Sequence, residues 1–272
     1  MGLIVSKQEM NLASKEYAFS MSMSHYFNLL WHLVKRDFYL RHTGSALGVL
    51  WSLLVPVAQL GVLSFTFSSV IRIDTADYPA FIYSALLPWT WFSSSLSSAG
   101  NLFFIHRDLL RRPAFPPSVL VIVNTLSHLI PFLLSLPLLY GLMGWYGRFA
   151  IWNPVTFLSL VLIQGLLTIG LSFVIATWNV FYRDIAPLVG MVLSLLFFLT
   201  PIFYRPIVDS KYRMLLELNP MVTLINSYRA VLFEGTYPKW EPLILIGGVS
   251  ILVCGLGYFI HKRLVPDVVD AI

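Results

Sequence analysis

Hydrophobic positions along the chain gather into six long runs separated by short polar connections. The runs cover about 45–71, 79–104, 118–145, 154–178, 187–204 and 242–261. Each approaches or exceeds the roughly 20 apolar residues that an α-helix needs to cross a bilayer core. Ahead of them a different rhythm appears. Phe27, Leu30, Trp31, Val34 and Phe38 recur at spacings of three and four, one stripe of a helix, with Lys35, Arg36 and Arg41 at or beside the opposite side. An aromatic-rich stripe backed by cations suits a helix lying flat at a membrane surface. Residues 1–23 are polar and unpatterned. The expected fold is therefore all-α: a mobile leader (1–23), an interfacial amphipathic helix (24–43) and a six-span membrane domain (44–272).

Between the fifth and sixth runs lies a stretch too polar to span and too apolar for a plain linker. It holds Arg205, Asp209, Lys211, Arg213 and Glu217, then the apolar-rich 221–233. Asn219-Pro220 interrupts it, because a proline pushes the residue before it away from helical geometry. Two short amphipathic helices meeting at a corner are expected there, a broken hairpin at the membrane edge.

Within the runs, polar punctuation marks places of interest. The first carries Pro56 and Gln59, and the second carries Pro88 followed by Ser93, Ser94, Ser95, Ser97 and Ser98. Small hydroxylated residues allow close helix packing, and they equally suit a wet pathway. The third run holds Pro131 and Pro137, which predict a kink. It also holds Asn124 and His128, intramembrane polar groups that call either for a hydrogen-bonded partner or for a ligand.

Composition agrees with this pattern: 57% of the 272 residues are hydrophobic and 11% charged, against roughly a quarter charged in soluble domains. Mean hydropathy is +0.76. The net charge of +5 comes from dispersed basic residues, which points to membrane topology rather than to nucleic acid. Arg107, Arg111, Arg112, Arg183, Lys262 and Arg263 fall on one side of the six runs, with Lys35, Arg36 and Arg41; Arg72 and Arg148 fall on the other. The cation excess places both termini in the cytoplasm and the broken hairpin outside. The single Cys254 forms no intramolecular disulfide and reads as packing.

Catalytic chemistry is hard to find. No Gly-x-x-x-x-Gly-Lys-Ser/Thr run is present to cradle a nucleotide, and no His-Glu-x-x-His pair to hold a metal. Acidic residues are missing from the interiors of the runs, which disfavours an ion-coupled carrier and an embedded hydrolase or transferase. Energy for any transport must then come from a partner on the inner side, met through 106–112 and 181–185. Aromatic residues reach 15% of the chain, most of them suited to anchoring at the bilayer interface. Phe197, Phe198, Phe203 and Tyr204 stand just ahead of the broken hairpin, where their faces suit either lipid or sugar rings.

At several of these places the sequence resembles the membrane subunit of bacterial polysaccharide ABC exporters, the type-2 permeases that move O-antigen, capsule or teichoic acid. The matching stretches are Leu47-Gly-Val-Leu-Trp51 with Pro56, Leu86-Leu-Pro-Trp-Thr-Trp-Phe92, Arg107-Asp-Leu-Leu-Arg-Arg112 before Phe115-Pro116, Phe181-Tyr-Arg-Asp-Ile185, Phe198-Leu-Thr-Pro-Ile-Phe-Tyr204 and Leu218-Asn-Pro-Met221. Each is weak alone; six in order are specific, and they cover 24–263.

The resemblance implies a homodimeric permease in the bacterial inner membrane, with a channel between the two copies lined by spans one, two and five. It implies no cofactor in this chain, ATP and Mg being bound by a separate pair of ATPase subunits. Contact with that ATPase would fall to Lys35, Arg36, Arg41, His106, Arg107, Asp108, Arg111, Arg112, Arg183 and Asp184. Trp51, Trp89, Phe197, Phe198, Phe203 and Tyr204 would meet the glycan. Gate helices at 211–218 and 221–233 would use Leu218, Asn219, Pro220, Met221, Asn226, Tyr228 and Arg229. Basic residues at the inner mouth could also meet the pyrophosphate of a lipid-linked substrate. O-antigen is the expected cargo, with capsule or teichoic acid as alternatives. A drug or lipid exporter fits the aromatic density less well, and an enzyme of glycan synthesis lacks a site.

Overall fold

A computed structural model describes residues 23–42, 47–48, 50–66, 77–112, 115–148, 153–205 and 218–271. Among them every regular element is helical: α1 Met23–His42, α2 Leu50–Phe65, α3 Tyr78–Ala99, α4 Leu102–Ile105, α5 Arg107–Leu110, α6 Ser118–Trp145, α7 Pro154–Phe181, α8 Ile185–Leu199, α9 Pro220–Arg229 and α10 Trp240–Ala271. A π-helical turn, Ala230–Glu234, continues α9. Three of these helices are long and apolar enough to cross a membrane: Ser118–Trp145, Pro154–Phe181 and Trp240–Val265. Leu53–Phe65 and Ile185–Leu199 are shorter apolar helices.

Helix α3 is the axis of the bundle. From Tyr78 to Phe92 only Pro79 and Thr90 escape full burial, and α2, α6, α7, α8 and α9 pack around it. Its serines divide the two duties expected of them. Ser95 and Ser98 bond back to the carbonyls of Trp91 and Ser94 and face α6, whereas Ser93 and Ser94 line cavities. The Gln164 side-chain amide of α7 donates to the Pro88 carbonyl oxygen at 2.8 Å and ties α7 to α3. α7 starts at a strong cap, the Asn153 carboxamide accepting from Val155 and Thr156 with Pro154 in the first turn.

Several boundaries differ from the hydrophobic runs. The second run was expected to continue to residue 104, but α3 stops at Ala99, and Gly100-Asn101 turns the chain into α4. The third run forms one continuous helix that contains Pro131 and Pro137. The fifth run, 187–204, is not one span-length helix. α8 has 15 residues, about 22 Å at the helical rise. It ends at Thr200 because Pro201 follows, and 200–205 continues without helix. α10 runs well past the sixth apolar run, to Ala271.

α1 also packs on the bundle. Phe27 and Trp31 of the stripe are exposed, yet Val34 and Phe38 are buried, and Val34 packs on Val119 and Val123 of α6. The helix is docked on the bundle rather than resting on an apolar stripe alone. Residues 1–22, 43–46 and 206–217 lie outside the described residues, and with them the leader and most of the first gate helix expected from the sequence.

Candidate functional site

Polar groups collect at two opposite ends of the bundle, and an aromatic lane starts near one of them. At the first end, α1 meets the turn after α3 and the beginning of α6. Asp37 and Arg41, one helical turn apart, pair at 2.8 Å, and His106 Nε2 lies 3.5 Å from the other Asp37 oxygen. Burial alone would raise the Asp37 carboxyl, but hydrogen bonds and charge from His106 and Arg41 outweigh it and hold the group at about 2. Arg41 Nη2 donates to Asn124 Oδ1 at 3.0 Å, and Arg41 Nη1 to His128 Nε2 at 2.9 Å. A guanidinium has only donors, so His128 Nε2 accepts and its proton sits on Nδ1, which donates to the Asn124 carbonyl at 2.8 Å. The intramembrane Asn124 and His128 thus have protein partners.

The charged residues assigned by resemblance to the ATPase divide into two groups at this end. Arg41, about a third of whose side chain stays exposed, and His106 engage Asp37. Lys35, Arg36, Arg107, Asp108, Arg111, Arg112, Arg183 and Asp184 are exposed. The turn carrying four of them is anchored by Leu109 and Leu110, which are buried against Leu102, Leu120 and Phe173. The 182–185 link is tied to it by Asn179, whose amide donates to Gly100 O at 2.7 Å and whose oxygen accepts from Ala186 N at 2.8 Å. Arg183 lies over the Phe104 ring at 5.6 Å. Asp37 and Asn179 organise this end, and sequence reasoning had singled out neither. An Asp37/Arg41 spacing of four was the one available signal.

The aromatic lane runs along α3 and α8 into the 200–205 bend. Trp89 stands 5.8 Å from Phe197, Phe197 5.4 Å from Phe198 and 6.1 Å from Phe203, and Phe203 5.3 Å from Tyr204. These rings are tilted or edge-on rather than stacked face to face, the arrangement their quadrupoles favour. An open pocket of about 290 Å³ is lined by Gln59, Trp89, Ser93, Leu193, Phe197 and Phe198, side chains of α2, α3 and α8. Phe198 is 66% exposed while Trp89 is 4% exposed, so the lane grades from an accessible edge to a buried wall. Trp51 is not part of it. It lines a separate cavity of about 260 Å³ beside Arg41, Trp91 and His128.

At the second end, the hairpin residues are built into the bundle. Leu218 is exposed. Asn219 caps α9, its oxygen accepting from Met221 N at 3.0 Å, and its amide donates to Thr200 Oγ1 at 3.0 Å. Pro220 occupies the first turn, where its missing N–H costs nothing. Met221 and Tyr228 are core residues, the Tyr228 ring meeting Phe132 and Phe157 edge-on. Arg229 is 4% exposed; it donates to the carbonyls of Pro201 and Ile202 at 2.8 and 3.0 Å. Burial, then the neighbouring Arg205, lowers its pKa to about 10, still charged at neutral pH. Asn226, half-buried, instead lines an outer groove with Thr223, Glu234 and Lys239. Arg148 pairs with Asp77 and lies 5.1 Å from the Phe233 ring, so the connections before α3 and after α6 meet the hairpin at this end.

Comparison with known proteins places these features in company. Residues 28–233 match the ABC-2 type transporter family. The chain is 38% identical over 231 residues to a Myxococcus xanthus protein called O-antigen export system permease protein RfbA, covering 84% of this chain and 89% of that one. Two Klebsiella pneumoniae proteins of the same name are 28% and 27% identical over 241 residues, each alignment covering 88% of this chain and 93% of the relative.

Proposed function

The chain belongs to the ABC-2 type transporter family, and from that premise we propose that it is the permease of an ATP-driven exporter carrying lipid-linked O-antigen across the bacterial inner membrane. It is a multi-pass transport subunit rather than an enzyme. O-antigen is favoured over capsule or teichoic acid by the names of its relatives.

The observation that carries the reading is the graded aromatic lane from Trp89 through Phe197 to Tyr204, open along α2, α3 and α8. A sugar polymer must advance residue by residue, so a wall of many weak apolar contacts serves it better than one tight site. Ring faces contact the C–H surfaces of sugars, and the serine and glutamine at the lane's edge can exchange hydrogen bonds with hydroxyls. In this reading α2, α3, α6, α7, α8 and α10 are the six spans, both termini are cytoplasmic, and the short α2 and α8 face a second copy of the chain. Supporting it, both carry rows of exposed apolar residues, among them Leu54, Val55 and Val62 on α2 and Leu188, Met191 and Leu195 on α8. Membrane lipid surrounds the remaining faces.

The partner ATPase, which holds ATP and Mg, would dock on the exposed cations of α1, of 107–112 and of Arg183. Purifying the chain with its ATPase and supplying the pair to a strain lacking its own O-antigen exporter tests the proposal. Surface O-antigen should return only when both subunits are present and the ATPase is active. Restoration by this chain alone, or none with the pair assembled, would overturn it.

A further inference from the structure

Two separate elements of the proposed docking end converge on one carboxylate. Asp37 of α1 pairs with Arg41 of its own helix and with His106, the residue that opens the basic turn. Arg41 passes the connection inward. Its Nε holds Asp37 at 2.8 Å, its Nη2 the Asn124 amide oxygen at 3.0 Å and its Nη1 His128 at 2.9 Å. Asn124 in turn accepts from Ser98 Oγ at 2.7 Å and donates to Ser95 O at 2.9 Å, both on α3. One guanidinium therefore stands between α1 and the His106 turn on one side and α3 and α6 on the other.

The alternatives at this junction are mechanically weaker. The contact of Val34 with Val119 and Val123 is apolar and non-directional, so it resists separation but not sliding. The bond from Ser127 Oγ to Val34 O is 3.4 Å long, a loose second tie, and the same hydroxyl adds a single hydrogen bond to Asp37. An ion pair whose arginine is about a third exposed is a poor source of net stability compared with apolar packing, but the bonds around this one fix its geometry. The planar fork of arginine fixes three directions at once, which a lysine ammonium on its flexible stem does not.

We propose that Arg41 is a positioning residue for transport: it holds α1 and the His106 turn in register with α3 and α6, so that movement imposed on the docking surface reaches the spans. Arg41 acts through these bonds, contacting neither nucleotide nor glycan. The inference rests on the docking reading above, and its test separates the two.

Arg41→Lys keeps the charge opposite Asp37 and removes the fork. In the strain that depends on the supplied exporter, with the complex also purified into nanodiscs, this variant should assemble with the ATPase and hydrolyse ATP as the parent does. Export per assembled complex should fall about tenfold. His128→Leu, which removes the Nη1 acceptor, should lower export in the same way; His128→Gln, whose amide oxygen can accept, should restore most of it. Unchanged export per complex in Arg41→Lys would overturn the proposal. A loss matched by loss of assembled complex would also do so, since Arg41 would then be merely structural. Failure of the parent chain to assemble with the ATPase would instead sink the docking reading, and this inference with it.

Discussion

Arg229 lies with its guanidinium 3.8 Å from the centroid of the Phe81 ring, at the point where α9 crosses α3. The same guanidinium donates to Pro201 and Ile202, so one side chain joins the axis helix, the second half of the hairpin and the bend that carries the aromatic lane. Arg229→Met would leave the two carbonyls without their donor in a dry site, at a cost of about 2–4 kcal/mol. The expected outcome is a large loss of thermal stability in detergent, measured by the fraction surviving as a monodisperse species after heating. Glu234→Gln is the contrast. Its pair with Arg205 is 3.6 Å long with both side chains well exposed, and such pairs contribute little. An equal loss in both variants would contradict the clamp.

Close approach of α7 and α10 depends on Gly170 and Gly257. A Cβ on Gly170 would lie 2.6 Å from Cys254 N, and one on Gly257 would collide with the Gly170 carbonyl. Backbone cannot yield as a side-chain tip can, so Gly170→Ala and Gly257→Ala should each force the helices apart and cost about 1–3 kcal/mol. Gly248→Ala has open space around it and should be neutral or slightly stabilising. Yield of folded protein from membranes reads all three.

Phe197→Ala should slow polymer export by several-fold while leaving the fold intact, because the half-buried ring lies along an open pocket. Phe198→Ala tests the exposed edge, and the double variant should be slower than either. Surface O-antigen at matched protein level is the readout; a normal rate in the double variant would return these rings to lipid anchoring.

Arg107, Arg111 and Arg112 replaced together by alanine should weaken pull-down of the ATPase. Insertion should be normal, since the three side chains are exposed and Leu109 and Leu110 hold the turn. Retained pull-down and retained export would remove the turn from the docking surface.

Asp37 gives a pH dependence of definite sign. Its carboxyl is held at about 2 in the folded chain against 3.8 when unperturbed. The associated stability, at most about 2 kcal/mol, is complete above about pH 4 and disappears as pH falls through the folded value. Stability gained from Asp37 over an Asp37→Asn variant should thus not fall between about pH 8 and pH 5, where the carboxylate stays ionised. Tm measured for both proteins across that range checks it; a gain that shrank towards pH 5 would contradict the pairing.

Much of the fold was legible in the chain because α6 and α7 are long, uniformly apolar and bounded by strong signals. Asn153-Pro154 starts α7, and Pro117 precedes α6. The aromatic cluster was legible too, since Phe197, Phe198, Phe203 and Tyr204 lie close in sequence and nothing distant is needed to gather them. Trp89 lies beside them and Trp51 lines a separate cavity, because helix rotation decides which face an aromatic presents. α8 was overestimated because hydropathy counts Pro201, Ile202 and Phe203 as span, whereas proline ends the helix first.

By itself the sequence determined that this is a helical membrane protein without a nucleotide or metal motif, since run length, composition and proline placement act locally. Only the tertiary structure decided which charges are spent inside the chain. Along the sequence Arg41 reads as a docking residue and Arg229 as a gate residue, yet Asp37, Asn124 and His128 engage the first, and Phe81 with two carbonyls claims the second. A charge's role depends on which partners reach it within 3 Å or so, and Arg41 and Asn124 are 83 positions apart, a separation no local pattern spans.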